Sequence, residues 1–324
     1  MHDFDHWLEF GIFVVILLAL DLLVFNKKAH EVKIKEALGW SAFWIALGLG
    51  FGGVVYYWYG YNLSMQYYAA YFVEKSLSMD NLFVFLMIFN YFKVPPIYQH
   101  RVLFWGIIGA IVLRFVFIYL GVALINQFEW VLYIFGVILI WSAYKMVKDQ
   151  DHEIHPENNP VIKLFKKIMP ISHEYDGGNF FTVKNAKKYA TPLFVALIMI
   201  ETSDVIFAVD SIPAIFGISQ DIFVIYTSNI MAILGLRALY FAISAIMKYF
   251  RYLNYGLAII LGFVGIKMMI ATADIYHIPV LASLGVIGAT MLISILLSVL
   301  IKDPKAEAHE KELLEGNKDE SQFK

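Results

Sequence analysis

The chain has 324 residues, of which 60% are hydrophobic and only 16% are charged. An ordinary soluble domain carries about 25% charged residues, because charged side chains cover its surface. The composition therefore excludes a soluble globular protein and predicts an all-α polytopic membrane protein. A net charge of −2 without a basic stripe argues against nucleic-acid binding, and the lack of cysteine excludes disulfides, thiolate metal sites and cysteine nucleophiles. No HExxH or GxSxG signature occurs either, so we expect no enzyme.

Runs of apolar residues predict nine membrane-spanning helices along the chain. A helix rises 1.5 Å per residue, so about 20 apolar residues cross about 30 Å of hydrocarbon. The predicted helices cover residues 7–25, 40–59, 66–91, 102–125, 129–147, 191–214, 222–247, 254–273 and 280–301. We take residues 1–301 as the transmembrane domain and residues 302–324 as a charged cytoplasmic tail.

The distribution of lysine and arginine predicts the orientation, because these residues concentrate in cytoplasmic loops. The first ten residues contain neither, the next connection carries four lysines, and the flanks keep alternating up to the tail. This alternation places the N-terminus outside and the C-terminus inside the cell. The long connection over residues 148–190 is then cytoplasmic. Within it, residues 161–171 predict an interfacial helix with three lysines, and residues 180–190 predict a small hairpin.

Helices three to five and six to eight share a pattern of polar residues. The matched pairs, first set before second, are Glu74 and Asp204, Asp80 and Asp210, Asn81 and Ser211, Arg114 and Arg237, and Lys145 and Lys267. Because three is odd, the second set enters the membrane from the opposite side. The sequence therefore predicts two inverted three-helix repeats, over about residues 66–147 and 191–273. Folds of this kind bind their substrate near the midplane, where the repeats meet.

Ionisable residues inside the predicted helices are candidates for function. One such residue at a helix centre costs roughly 2.5–3.5 kcal/mol on insertion scales, so they must face one another, water or an ion. The candidate metal ligands are Glu74, Asp80, Asn81, Glu201, Asp204, Asp210 and Ser211. The candidate charge-pairing or gating residues are Asp21, Arg114, Lys145, Arg237 and Lys267. We also expect broken helices near the paired acidic residues, because Pro213 frees the carbonyl of Val209.

Oxygen ligands suit Mn²⁺, Mg²⁺ or Ca²⁺ and suit zinc or copper(I) poorly. Any carboxylate that the metal leaves free can accept a proton, which gives ion–proton exchange a chemical basis. The alternative explanation is a set of structural salt bridges, in which Arg114 and Arg237 each neutralise one carboxylate and Asp21 pairs with an arginine. Acidic residues outnumber arginines at the centre, however, and leave negative charge for a cation. A proton-only relay would also fit the carboxylates.

Two long acidic stretches resemble the TerC family of integral membrane proteins, most closely its Alx-like branch. They are FVEKSLSMDNLFVF over residues 72–85 and IETSDVIFAVDSIPAIF over residues 200–216. Residues 20–22 and 190–193 match as well. The resemblance implies a manganese(II) exporter of the bacterial inner membrane. The family's metal-handling residues then correspond to Glu74, Asp80, Glu201, Asp204 and Asp210.

The sequence thus leads to two functional hypotheses. The first is Mn²⁺ efflux by alternating access around the carboxylates, with proton coupling and no permanent cofactor; the direction comes from the resemblance alone. The second is a membrane scaffold that metallates secreted enzymes or modulates redox partners through the 148–190 loop or the tail, without transport of its own.

Overall fold

Helices dominate the computed structural model, which describes residues 4–21, 34–148, 160–172, 174–184, 187–244 and 253–300. The helices are α1 (Phe4–Leu20), α2 (Ile34–Tyr59), α3 (Tyr61–Tyr91), α4 (Pro96–Gln127), α5 (Val131–Lys148), α6 (Pro160–Ile168), α7 (Pro192–Phe216), α8 (Ile222–Leu234), α9 (Leu236–Ser244), α10 (Leu253–Thr272) and α11 (Val280–Leu300). The strands are β1 (Phe181–Lys184) and β2 (Lys187–Ala190). Backbone polar groups in a bilayer must be satisfied within the segment, and helices do this.

Local sequence explains where several helices begin. Proline opens α4 and α7, where its missing N–H group costs nothing and its fixed φ suits the first turn. Asp221 precedes α8, and its carboxylate accepts a hydrogen bond of 3.0 Å from the N–H group of Val224.

Seven stretches in the described part of the chain are long and apolar enough to span a membrane. They lie in α2, α4, α5, α7, α8 with α9, α10 and α11. The chain is therefore a multi-pass integral membrane protein built of helices. The helix α1 has only 17 residues, and α3 carries charged residues in its middle, so neither is among the seven. Nine crossings, the inverted repeats and the orientation stay predictions.

The helices match the predicted spans in position, with two differences. The seventh predicted helix, 222–247, is divided into α8 and α9 at Gly235, and residues 245–247 lie outside the described residues. A Cβ at Gly235 would lie 2.8 Å from the Cβ of Trp44, so glycine lets α2 approach this junction. The expected breaks in the third and sixth helices are wrong, because α3 and α7 run without interruption and α7 contains Pro213.

The 148–190 loop contains both predicted elements. The predicted helix over 161–171 is α6, which ends at Ile168, and β1 pairs with β2 in an antiparallel hairpin. Beside the hairpin, Lys184 Nζ lies 2.6 Å from an oxygen of Glu174, and this exposed contact lowers the pKa of Glu174. Residues 149–159 and the tail 302–324 lie outside the described residues.

The long helix α3 lies at the centre of the bundle. It packs against α2, α7, α8 and α11, while α4 packs against α7 and α8. Two clusters of buried apolar side chains flank α3: one includes residues of α1, α2 and α8, and the other includes residues of α5 and α10. Polar residues in the middle of α3 are therefore shielded from lipid on several sides.

Helices α5 and α10 run alongside each other and approach closely at two glycines. A Cβ at Gly265 would lie 2.9 Å from the carbonyl oxygen of Gly136 and 3.0 Å from the Cβ of Leu139. Small residues at such crossings allow membrane helices to make close van der Waals contact.

We expect Gly265→Ala to destabilise the protein by about 1–3 kcal/mol, since the new methyl group meets backbone that cannot rotate away. Gly262→Ala is the matched control on the same helix, because its Cβ would meet only Ala143, at 3.8 Å. Thermal unfolding of the purified protein in detergent, followed by circular dichroism, measures both. Equal melting temperatures for the two variants would contradict the close crossing.

Candidate functional site

Arg114 of α4 lies at the centre of the bundle and holds two carboxylates from neighbouring helices. Its side chain is fully buried. Its Nη1 atom forms an ion pair with Glu74 of α3. Its Nη2 and Nε atoms donate to the two oxygens of Asp204 of α7, at 2.9 and 3.2 Å. Two parallel hydrogen bonds of this kind fix the geometry of a guanidinium and a carboxylate.

Three further polar side chains surround the guanidinium. Nη1 of Arg114 lies 3.3 Å from the amide oxygen of Asn229 in α8 and 3.5 Å from the hydroxyl of Ser211 in α7. Asn81 of α3 donates to Asp204 at 3.5 Å. The cluster therefore joins α3, α4, α7 and α8, and it contains residues from both predicted repeats.

The cluster is not fully satisfied within itself. One guanidinium faces two carboxylates, so a negative charge remains when both are ionised. Oε2 of Glu74 and Nδ2 of Asn229 are buried and have no hydrogen-bond partner among the described residues. A buried polar atom without a partner costs roughly 1–3 kcal/mol. Glu74 therefore keeps one oxygen that can act as a ligand.

A cavity of about 450 Å³ lies beside this cluster, between α3, α5 and α7. Its polar lining consists of Glu74, Asn81, Ser142, Lys145, Ser203, Asp210 and Ser211. Asp210 accepts a hydrogen bond of 2.6 Å from the hydroxyl of Ser142 in α5. The ammonium of Lys145 lies 5.5 Å from the ring centre of Trp141, at the same cavity. The cavity thus combines carboxylate, amide and hydroxyl oxygens.

The predicted metal ligands do not all meet in one place. Among the described residues, no three acidic or histidine side chains lie close enough together to hold a metal ion. Glu201 lies against α4, where a Cβ at Gly109 would overlap its carboxylate, and it does not line the cavity. Asp80 is part of α3, but its side chain lies outside the described residues. Glu74, Asn81, Asp210 and Ser211 share the cavity, and Asp204 lies behind Arg114.

The two matched arginines have different surroundings. Arg237 of α9 forms an ion pair with Asp21 at the end of α1, and both side chains are at most 9% exposed. Lys75 of α3 is also buried, and its Nζ atom donates to the carbonyl of Ala232 at 3.1 Å, near the junction of α8 and α9. Arg237 and Lys75 therefore connect α1, α3, α8 and α9.

Sequence reasoning missed Asn229 and Ser142. Asn229 ends the polar run Thr227-Ser228-Asn229, which interrupts an otherwise apolar span. Ser142 precedes Lys145 by three residues and so lies on the same helix face. Both signals were present in the sequence, but only the helix contacts show which polar residues reach the cluster.

Comparison with known proteins gives the family. The family model described as "Integral membrane protein TerC family" matches residues 59–306. This chain belongs to the TerC family. The matched range includes the central cluster and the cavity beside it.

Relatives match over nearly the whole chain. A Myxococcus xanthus protein named "Uncharacterized membrane protein STKORF319" is 46% identical over 91% of this chain and 92% of its own length. A Salmonella typhi protein named "Putative membrane-bound redox modulator Alx" is 44% identical over 93% of this chain and 97% of its own. The Escherichia coli K12 protein of that name is 42% identical over 91% and 94%. No solved structure matches.

We expect Arg114→Met to destabilise the protein by about 3–5 kcal/mol, because Glu74 and Asp204 would remain buried without their cation. Adding Asp204→Asn to this variant should restore part of the loss, since one buried charge is then removed. Lys184→Met, at the exposed ion pair with Glu174, is the control and should unfold like the parent. Melting temperatures of the four proteins give the comparison. If Arg114→Met were as stable as Lys184→Met, the carboxylates would not depend on Arg114.

Proposed function

We propose that this protein is a divalent-cation transporter of the bacterial inner membrane, with Mn²⁺ as its cargo, and not an enzyme. The observation that carries the proposal is a cavity whose polar lining includes carboxylate, amide and hydroxyl oxygens, beside two buried carboxylates and one arginine. Acidic groups inside a membrane protein face an interior pathway and mark the route of an ion or proton. Glu74 lines this cavity and has one buried oxygen without a hydrogen-bond partner among the described residues, and Asp210 supplies a second carboxylate.

Arg114 is the internal counter-charge in this proposal. Its guanidinium lies between Glu74 and Asp204, the position in which a cation would neutralise both. A metal that uses these carboxylates must therefore replace Arg114 at one of them. The exchange of one cation for another avoids leaving either carboxylate uncompensated in a low-dielectric interior.

The choice of metal rests on ligand chemistry and on the family resemblance. Carboxylate, amide and hydroxyl oxygens bind Mn²⁺, Mg²⁺ and Ca²⁺ well. The resemblance singles out Mn²⁺ and the export direction. A carboxylate that releases the metal can take up a proton, so we propose exchange of the metal for protons.

Alternating access would follow from two inverted repeats that move relative to each other. The reciprocal contacts of the helices support this idea. In the predicted repeats, α3 corresponds to α7, and α4 corresponds to α8 with α9. Each first helix packs against the second helix of the other repeat, α3 against α8 and α7 against α4. The matched helices α5 and α10 pack against each other. We propose nine crossings in this arrangement, with the N-terminus outside and the C-terminus in the cytoplasm.

The test is Mn²⁺ flux in proteoliposomes with purified protein. We expect Asp80→Asn and Asp210→Asn each to reduce flux by about tenfold or more at subsaturating Mn²⁺, because metal affinity depends on the number of charged ligands. Glu129→Gln, at an exposed acidic residue between α4 and α5, is the control. Folding is verified by gel filtration and melting temperature. Normal Mn²⁺ flux in both aspartate variants would refute the proposed transport function. The same assay with Mg²⁺ or Ca²⁺ in place of Mn²⁺ would measure the selectivity for the metal.

The names of the relatives favour a second candidate function. The Salmonella and Escherichia coli relatives are named as redox modulators, which suits a membrane scaffold that acts on protein partners. Such a scaffold would use the 148–190 loop or the tail. Deletion of residues 306–324 separates the two functions: a carrier keeps its Mn²⁺ flux, whereas a scaffold shows little flux before the deletion and loses co-purifying partners after it.

A further inference from the structure

A second polar cavity lies at the end of the bundle where α7 ends and α11 begins. It measures about 370 Å³ and is separate from the cavity beside Arg114. Its polar side chains are Gln66, Ser219, Gln220, Lys267, Thr272 and His277, and we refer to it as the Lys267 cavity. Gln220 and His277 are exposed, so the cavity is open to solvent on that side.

Lys267 lines this cavity and is only 7% exposed. Among the described residues, none forms a hydrogen bond or an ion pair with its ammonium. Its counterpart Lys145 shares a cavity with the carboxylates of Glu74 and Asp210. No carboxylate is found among the described residues that line the Lys267 cavity. The Nζ atom of Lys267 is not one of the fully buried polar atoms that lack a partner, so solvent in the open cavity reaches the ammonium, and an anion would bind it by displacing water.

The other polar groups of the cavity suit an anion. The side-chain amides of Gln66 and Gln220 offer N–H donors. The hydroxyl oxygen of Ser219 accepts from the N–H group of Asp221 at 3.1 Å, so its own hydrogen is free to donate into the cavity. The hydroxyl of Thr272 is already donated to the carbonyl of Met268 at 2.8 Å.

The Lys267 cavity is bordered by the C-terminal ends of α7 and α10, which carry partial negative charge, and by the N-terminal end of α11. At the end of α7, the carbonyls of Pro213 and Ile215 accept hydrogen bonds from residues 217–219. The 21-residue helix α11 begins at Val280, which lines the cavity, and the N-terminus of a helix carries a partial positive charge. His277 lies 3.6 Å from the exposed carboxylate of Asp274, so that carboxylate is directed to His277 and is not part of the lining.

We propose that the Lys267 cavity binds a small inorganic anion, either a halide or a tetrahedral oxyanion. The anion pairs with the ammonium of Lys267 and accepts hydrogen bonds from the amides of Gln66 and Gln220 and the hydroxyl of Ser219. This site differs from the cation site in position, in charge and in the type of ligand. It therefore stands whether or not the protein carries Mn²⁺.

The test is thermal unfolding of the purified protein in detergent without divalent metal. Sodium chloride, sodium sulfate and sodium phosphate are titrated against sodium gluconate at constant ionic strength, so that general screening is the same in every arm. We expect a saturable rise in melting temperature of about 2 °C for at least one of the three anions at about ten times its Kd. The anion with the lower half-saturation concentration identifies halide or oxyanion.

Three variants identify the residue responsible. Lys267→Met should lose the anion-dependent rise, Lys267→Arg should keep it, and Lys145→Met, the matched lysine in the other cavity, should keep it as well. Gln66→Ala should raise the half-saturation concentration, and it replaces Lys267→Met if that variant does not fold. An equal anion-dependent rise in the parent and in Lys267→Met would overturn the proposal. So would the absence of any saturable difference between the anions and gluconate in the parent protein.

Discussion

The ion pairs of Arg114 with Glu74 and Asp204 are the interaction on which the rest of the structure depends. Each of these side chains alone would be costly inside a bilayer, and together they are tolerated only where three helices meet. Glu74 comes from α3, Arg114 from α4 and Asp204 from α7. The positions of these helices relative to one another are therefore constrained by charge as well as by van der Waals contact. Apolar clusters on both sides of α3 keep lipid away from the three groups.

The two predicted repeats share a polar pattern but differ in their electrostatics. Arg114 pairs with Glu74 of its own repeat and with the matching residue Asp204 of the other repeat. Its counterpart Arg237 pairs with Asp21, which belongs to neither repeat. The lysines differ in the same way, since Lys145 shares its cavity with carboxylates, whereas none is found among the described residues that line the cavity of Lys267. A duplicated pattern therefore produces one acidic cavity and one basic cavity. The two proposals, a cation in one cavity and an anion in the other, rest on this difference in lining and not on the repeat itself.

Composition and apolar runs were sufficient to predict where the helices lie, because the bilayer imposes a minimum apolar length on each of them. The hairpin and α6 were also predicted correctly from the local pattern. The division of the seventh predicted helix at Gly235 was not predicted. Gly235 allows Trp44 to pack closely, but nothing in the sequence distinguishes it from the other glycines among the 21. Pro213 was expected to break its helix, but it lies only three residues before the end of α7, and the helix continues to Phe216.

Side-chain partners were harder to predict than helices. The sequence identified the acidic residues and arginines as candidates, but the choice of partner depends on helix contacts between residues far apart in the chain. Arg114 and Asp204 are 90 positions apart, and Arg114 and Asn229 are 115 apart. Glu74, Asn81, Asp210 and Ser211 line one cavity, whereas Glu201 and Asp204 do not line it. The position of Asp204 behind the guanidinium could not be read from spacing along α7.

Under the proposed function, the geometry also indicates which carboxylates a cation in the cavity would reach first. Asp210 and Glu74 line the cavity, whereas Asp204 is held by two N–H groups of Arg114 and does not. A cation in the cavity would therefore meet Asp210 and Glu74 before Asp204. Because Arg114 holds Asp204 through two groups and Glu74 through one, Glu74 is the carboxylate that the guanidinium releases more easily. In the proposed mechanism, the pair of Arg114 and Asp204 would stay in place, and Glu74 would exchange the guanidinium for the metal.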